Sequence, residues 1–238
     1  MRSSPAALRG LIWDVDGTIA ETERDGHRVA FNQAFEALGV PWRWDVAHYN
    51  ELLHVPGGRE RLLHDMGQRQ DAPPAGPERD ALARELHLRK NTLYPVIVAQ
   101  GGMAARPGVM RLVAECHAAG VKLALATTSS LVNVDALFVS LWGARWHDIF
   151  SAAVCAEDAP VKKPDPMAYT LALQRLGVAA DEAMAIEDSP NGMRAARAAG
   201  LRCGITRSID FADASFEGAH WVRDDLNAEP AMTLARLI

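Results

Sequence analysis

Two aspartates, Asp14 and Asp16, flank Val15 at the end of the apolar run Leu11-Ile12-Trp13, and Gly17 follows them. A chain that leads a strand out of its core into paired carboxylates must supply them with a partner, because a buried unpaired charge is costly. A metal ion or a reaction does so. Further along, Glu187 and Asp188 end the run "AMAIE", Thr127 and Thr128 end "VKLALATT", and Lys163 lies in "PVKKPDP" just past another apolar run. Acids, hydroxyls and an amine of these types suit phosphoryl transfer. Four clustered carboxylates repel one another, and hard oxygen ligands match Mg²⁺, which also offsets the repulsion between an anionic nucleophile and a phosphate. In that chemistry Asp14 is the nucleophile that forms an aspartyl-phosphate, and Asp16 is the acid and base. Lys163 and the Thr127 hydroxyl stabilise charge on the transferring oxygens.

Plainer readings compete. Asp188 could serve only the helix dipole, with Ser189 as N-cap and Pro190 as first helical residue, but that leaves Glu187 unexplained. Thr127 alone suits a β-branched strand residue, and a loop lysine is ordinarily solvated. A calcium loop at "DVDGT" fails, because glycine falls at the fourth position instead of the sixth and Asp25 stands where a glutamate closes such loops.

The elements that must position these residues alternate. A helix is expected from Pro107-Gly108 to Ala119, closed by Gly120, then a strand over 121–127. Helical spacing over 131–143 precedes the strand-like 149–154, and a proline-opened helix over 165–177 precedes the strand 183–187. A helix over 190–200 and the short runs "RCGIT" and "HWV" complete the series. Strand and helix in turn predict an α/β fold, a Rossmann-like doubly wound parallel sheet covered on both faces. Residues 20–99 read otherwise: four helical stretches (27–39, 45–53, 59–67 and 78–94), a loop over 69–77 and no strand. The expected organisation is a core of 1–19 and 100–238 with a small all-helical cap, 20–99, inserted after the first strand. Ligands gather at the carboxyl ends of such strands, where every residue singled out above falls.

Bulk properties narrow the classes. The 238 residues suffice for a sizeable core. A net charge of −5 gives no general attraction to nucleic acid or anionic membranes, so a phosphate site must be local. Cys116, Cys155 and Cys203 show no CxxC spacing and read as buried thiols of a reducing compartment. No apolar run approaches a membrane span, and "MRSSPAALRG" is too short for a signal peptide, so a cytoplasmic location is expected. The chain is separately expected to be a monomer. Trp42, Trp44, Trp142, Trp146 and Trp221 are read as packing residues.

"DVDGT", "LALATTSS", "VKKPDP" and "AIEDSPNG" resemble, in order and spacing, the four motifs of the haloacid dehalogenase superfamily of phosphotransferases. The similarity spans nearly the whole chain and points to the branch holding β-phosphoglucomutase and the CbbY sugar-bisphosphate phosphatases. It implies Mg²⁺ held by Asp14, the Asp16 backbone carbonyl, Asp188 and Glu187, and Thr127 and Lys163 in the roles given above. The branch further implies a small sugar phosphate as substrate, with xylulose 1,5-bisphosphate foremost. Mutases of this group carry Lys-Asn just beyond the serine equivalent to Ser129, whereas Ser130 and Leu131 stand here. His27 and Lys90 do resemble the mutase hinge, so a sugar-phosphate mutase stays as the alternative. A receiver-like phospho-acceptor is disfavoured by the helical insert and by Asp16. Substrate contacts are expected from Glu21, His27, Gly58, Arg59, Lys90, Thr128 and Ser129, with Arg59 at a helix start placed to hold a second phosphate.

Overall fold

The computed structural model describes residues 8–237. The residues before Leu8, most of the segment read as too short for a signal peptide, lie outside the described residues. Six strands, β1 (Gly10–Trp13), β2 (Lys122–Ala126), β3 (Phe150–Val154), β4 (Ala183–Glu187), β5 (Arg202–Thr206) and β6 (Trp221–Arg223), form one sheet in the order β3-β2-β1-β4-β5-β6. Every pairing is parallel. The order reverses at β1, so the loop after Trp13 opens at the switch point of a doubly wound sheet.

Strand periodicity divides the core in two. Leu11, Trp13, Leu123, Leu125, Met184 and Ile186 face one layer, where they meet α5 (Val109–Ala118) and α6 (Leu131–Trp142). Ile12, Ala124, Ala126, Ala185 and Ile205 face the other, under α7 (Met167–Leu176) and α8 (Pro190–Ala198). Near-continuous apolar runs in β1, β2 and β4 are what a strand buried on both faces requires. The three cysteines are free and buried within these layers.

Between β1 and β2 stand α1 (Arg28–Ala37), α2 (Val46–Leu52), α3 (Gly58–Gln68) and α4 (Pro77–Ala99). They enclose their own core of Phe31, Phe35, Trp44, Tyr49, Leu62, Met66 and Leu86. Asp45 caps α2 by accepting from the His48 amide, and Pro77 opens α4 at a position whose N–H would be unpaired anyway. The expected end at Tyr94 is overrun: α4 continues through Pro95 to Ala99. Tyr94 and Val98 are buried on either side of the proline, and this packing outweighs the lost backbone bond.

Candidate active site

Four strand ends place the chemistry. Asp14 and Asp16 leave β1, Thr127 to Ser130 leave β2, Lys163 lies in the loop after β3, and Glu187-Asp188 leave β4. They meet at a cavity of about 270 Å³ between the sheet edge and the helices α1 to α4, lined by Asp14, Asp16, Lys163 and Asp188 among others.

Lys163 Nζ donates to Asp14 Oδ1 at 2.7 Å and to Glu187 Oε1 at 2.5 Å. The buried Tyr169 hydroxyl also donates to Glu187 Oε1, at 2.7 Å, and the Ser189 hydroxyl donates to Oε2 at 3.0 Å. Carboxylate oxygens of Asp14, Glu187 and Asp188 come within 4.8 Å of one another with all three residues buried. Burial, and then the Glu187 charge, push Asp14 up to about 7 against the pull of Lys163. Burial with the charges of Asp14 and Glu187 raises Asp188 as well. Three buried hard-oxygen groups facing one lysine leave negative charge uncompensated, and this donor set fits Mg²⁺.

Asp16 is held differently. Its Oδ1 accepts from Thr22 Oγ1 at 2.6 Å and lies 2.9 Å from His27 Nε2, while Oδ2 accepts from Ser129 Oγ at 2.5 Å. Burial alone would raise this carboxyl, but the His27 contact and the three hydrogen bonds hold it well below the usual range. The His27 ring stacks on Tyr94 with centroids 4.2 Å apart.

Glycines admit the carboxylates. A Cβ at Gly17, whose φ is +83°, would collide with the Asp188 carboxylate, and one at Gly192 would overlap that of Glu187. Gly192 lies in the first turn of α8, where alanine is the better helix former by about 1 kcal/mol. Because Lys163, Tyr169 and Ser189 lock Glu187, the collision wins. Gly192→Ala is expected to lower the melting temperature by several degrees, from ~1–3 kcal/mol of overpacking. A melting temperature at or above wild type would show that Glu187 can move aside.

Of the remaining expected residues, His27, Gly58, Lys90, Thr128 and Ser129 line the cavity. Burial pushes the Lys90 ammonium down to about 7, against the charges of Asp16 and Glu23. Thr127 is buried behind this lining, its Oγ1 accepting from the Ser129 amide at 3.0 Å. Two expected contacts are displaced. Glu21 turns to Arg106 Nε at 3.1 Å and accepts from the Ile209 amide, away from the cavity. Arg59 is half exposed, lies 3.8 Å from Asp80 and lines a smaller adjoining recess. Its helix neighbour Arg61 faces the cavity instead. Two positions along a helix rotate a side chain by about 200°, so only one of the pair can point inward.

Arg61 is buried, donates to Tyr49 Oη at 2.7 Å and lies 3.5 Å from Glu23 Oε2. Tyr49 in turn donates to Glu23 Oε2 at 2.5 Å. With Asp210, which burial and the nearby Glu23 push up to about 6, these residues make the far wall. Sequence reasoning missed Glu23, Arg61 and Asp210. The i, i+2 arginine pair was the one usable signal.

The family model of the haloacid dehalogenase-like hydrolases matches residues 8–200. The chain is 43% identical over 225 residues to protein CbbY of Cupriavidus necator, covering 94% of this chain and 88% of that one. CbbY from Rhodobacter sphaeroides in complex with phosphate superposes with a TM-score of 0.85 at 41% identity, covering 92% of this chain and 94% of the other. A mutant of the same protein in complex with xylulose-(1,5)bisphosphate gives 0.84 at the same identity and coverage.

Proposed function

The chain belongs to the haloacid dehalogenase-like hydrolases and is a phosphoric monoester hydrolase, and from that premise we propose that it dephosphorylates a sugar bisphosphate through an aspartyl-phosphate. Xylulose 1,5-bisphosphate is the proposed substrate, because the R. sphaeroides relative is known in complex with it. The observation that carries this reading is the distribution of cations. Lys163 stands on the sheet edge, whereas Lys90 and Arg61 line the opposite wall from α4 and α3. A monophosphate needs one such group. A bisphosphate spanning the cavity uses both walls, and the helices α1 to α4 then act as its cap.

The Asp14 carboxylate attacks phosphorus and the bond to the leaving sugar oxygen breaks. Lys163, already paired with Asp14 and Glu187, keeps the attacking oxygen directed while it balances charge. In the substrate-free site the donors Thr22, His27 and Ser129 hold Asp16 as the carboxylate, the form that serves as base for the attacking water. To act first as acid, Asp16 takes up a proton as the anionic substrate binds beside it and passes that proton to the leaving oxygen. Asp14, Glu187 and Asp188 would hold Mg²⁺, which when bound supplies charge neutralisation between nucleophile and phosphate. No helix is long and apolar enough to cross a membrane, among the described residues.

Mg²⁺-dependent phosphate release across sugar mono- and bisphosphates tests the substrate. Xylulose 1,5-bisphosphate is expected to give the highest kcat/KM. A monophosphate preferred by tenfold or more would overturn the bisphosphate reading.

Arg61 is the proposed reader of the distal phosphate. A charge-assisted contact in a closed site contributes on the order of 2–4 kcal/mol, so Arg61→Ala is expected to lower kcat/KM for the bisphosphate by ~30- to 1000-fold. An aryl phosphate should lose less than about threefold, because it has no distal group to lose. If Arg59→Ala carries the selective loss instead, the side recess is the second phosphate site.

A further inference from the structure

Arg106 does not line the cavity, yet its guanidinium is buried and engaged at the sheet edge. Nη1 donates to the Gly17 carbonyl at 2.5 Å, to the Thr206 carbonyl at 3.0 Å and to the Thr206 hydroxyl at 3.1 Å. Nη2 donates to the carbonyls of Arg207 and Asp224. Nε faces Glu21 Oε1. The Arg106 amide donates to the Ile19 carbonyl at 2.8 Å, and next to it Ala20 and Ala105 form an antiparallel bridge. One side chain therefore joins four segments: the loop after β1, the chain returning from α4, and the loops after β5 and β6.

Two of these segments reach the reacting groups. Gly17 directly follows Asp16, and its missing side chain is what lets the Asp188 carboxylate pack against it. A glycine peptide has no Cβ to fix it, so its orientation must come from its hydrogen bonds. The Gly17 amide donates to the Ala20 carbonyl and the Gly17 carbonyl accepts from Arg106. On the other side, Glu21 Oε1 also accepts from the Ile209 amide at 3.4 Å, and the next residues, Asp210 and Phe211, line the cavity. Lysine cannot replace this arrangement, because an ammonium lacks the planar fork by which Nη1 and Nη2 together reach five acceptors from three separate segments.

We propose that Arg106, tied to Glu21, is a positioning residue: it fixes the Gly17 carbonyl, and through it Asp16 and Asp188, while anchoring both chain crossings into the helices above the cavity. The inference rests on the phosphatase reading. If wild type releases no phosphate from either test substrate, that reading falls and takes the role of Arg106 with it.

The test is Arg106→Lys, assayed well below its own melting temperature with an aryl phosphate and with xylulose 1,5-bisphosphate. A displaced catalytic loop is expected to lower kcat about 10- to 100-fold on both substrates, with KM within about threefold. A merely structural residue would lower the melting temperature and leave kcat per folded molecule unchanged, which overturns the proposal. A loss confined to the bisphosphate overturns it too, because the effect would then lie in the far wall. Should Arg106→Lys not fold, Arg106→Gln, whose single amide NH2 can reach only part of this carbonyl set, is read in the same way. A kcat loss of about 3- to 10-fold shared by both substrates supports the positioning role. Unchanged kcat, or a KM rise for the bisphosphate alone, rejects it.

Discussion

Asp14→Asn is expected to lower steady-state phosphate release by at least ~10³-fold, a loss of about 4 kcal/mol of transition-state stabilisation. The amide keeps the shape of the side chain but cannot attack phosphorus, and it removes a member of the buried acidic cluster. Lys163 loses one anionic partner and retains Glu187 at 2.5 Å. Because three carboxylates crowd within 4.8 Å, deleting one negative charge relieves repulsion, and the melting temperature should not fall. Loss of turnover with an intact melting curve is thus the signature of a nucleophile. Turnover near the wild-type rate in the folded variant would show that phosphorus is attacked by something other than Asp14.

The residues of that cluster were legible in the sequence because each follows an apolar strand directly. Strand ends can be located from apolar runs alone, and a doubly wound sheet brings its carboxyl ends to one edge whatever the helices between them do. The same logic placed Lys163, whose loop had only to return from β3 to α7. The far wall obeys no such rule. Whether Arg59 or Arg61 faces inward depends on the rotation of α3 about its axis, which the packing of Leu62 and Met66 against Phe31 and Trp44 decides. Glu21 illustrates the opposite case. Its position directly after the nucleophile loop suggested a substrate contact, but the nearest buried cation, Arg106, arrives from eighty-five positions later in the chain. Tyr169, beneath Glu187, sits within an amphipathic helix where its ring reads as core and its hydroxyl is invisible. The helical stretch expected to end at Tyr94 runs on through Pro95 because tertiary packing, which the sequence does not display, holds both sides of the proline.

Asp16→Ala divides the two halves of the reaction, and steady-state turnover is expected to drop by ~10²- to 10⁴-fold, the usual contribution of a positioned proton donor and acceptor. The nucleophile and the acidic cluster stay in place, so phosphoryl transfer to Asp14 can still occur. With an aryl phosphate the departing phenolate needs little protonation, and this first step suffers least. The second step still requires a base for water, and among the described residues no other carboxylate approaches Thr22, His27 and Ser129 as Asp16 does. The variant should therefore release a burst of phenol close to one per active site and then stall as a phosphoenzyme. Rapid quench for the burst and intact-mass measurement for the trapped adduct read the two halves separately. With the sugar bisphosphate, whose alkoxide is a poor leaving group, the burst should be absent, because the first step now needs the missing acid. That contrast distinguishes Asp16 from a group that merely shapes the cavity, whose loss would slow both substrates without trapping either. A burst of equal size on both substrates would assign Asp16 to water activation alone. Unchanged steady-state turnover would remove it from the reaction altogether.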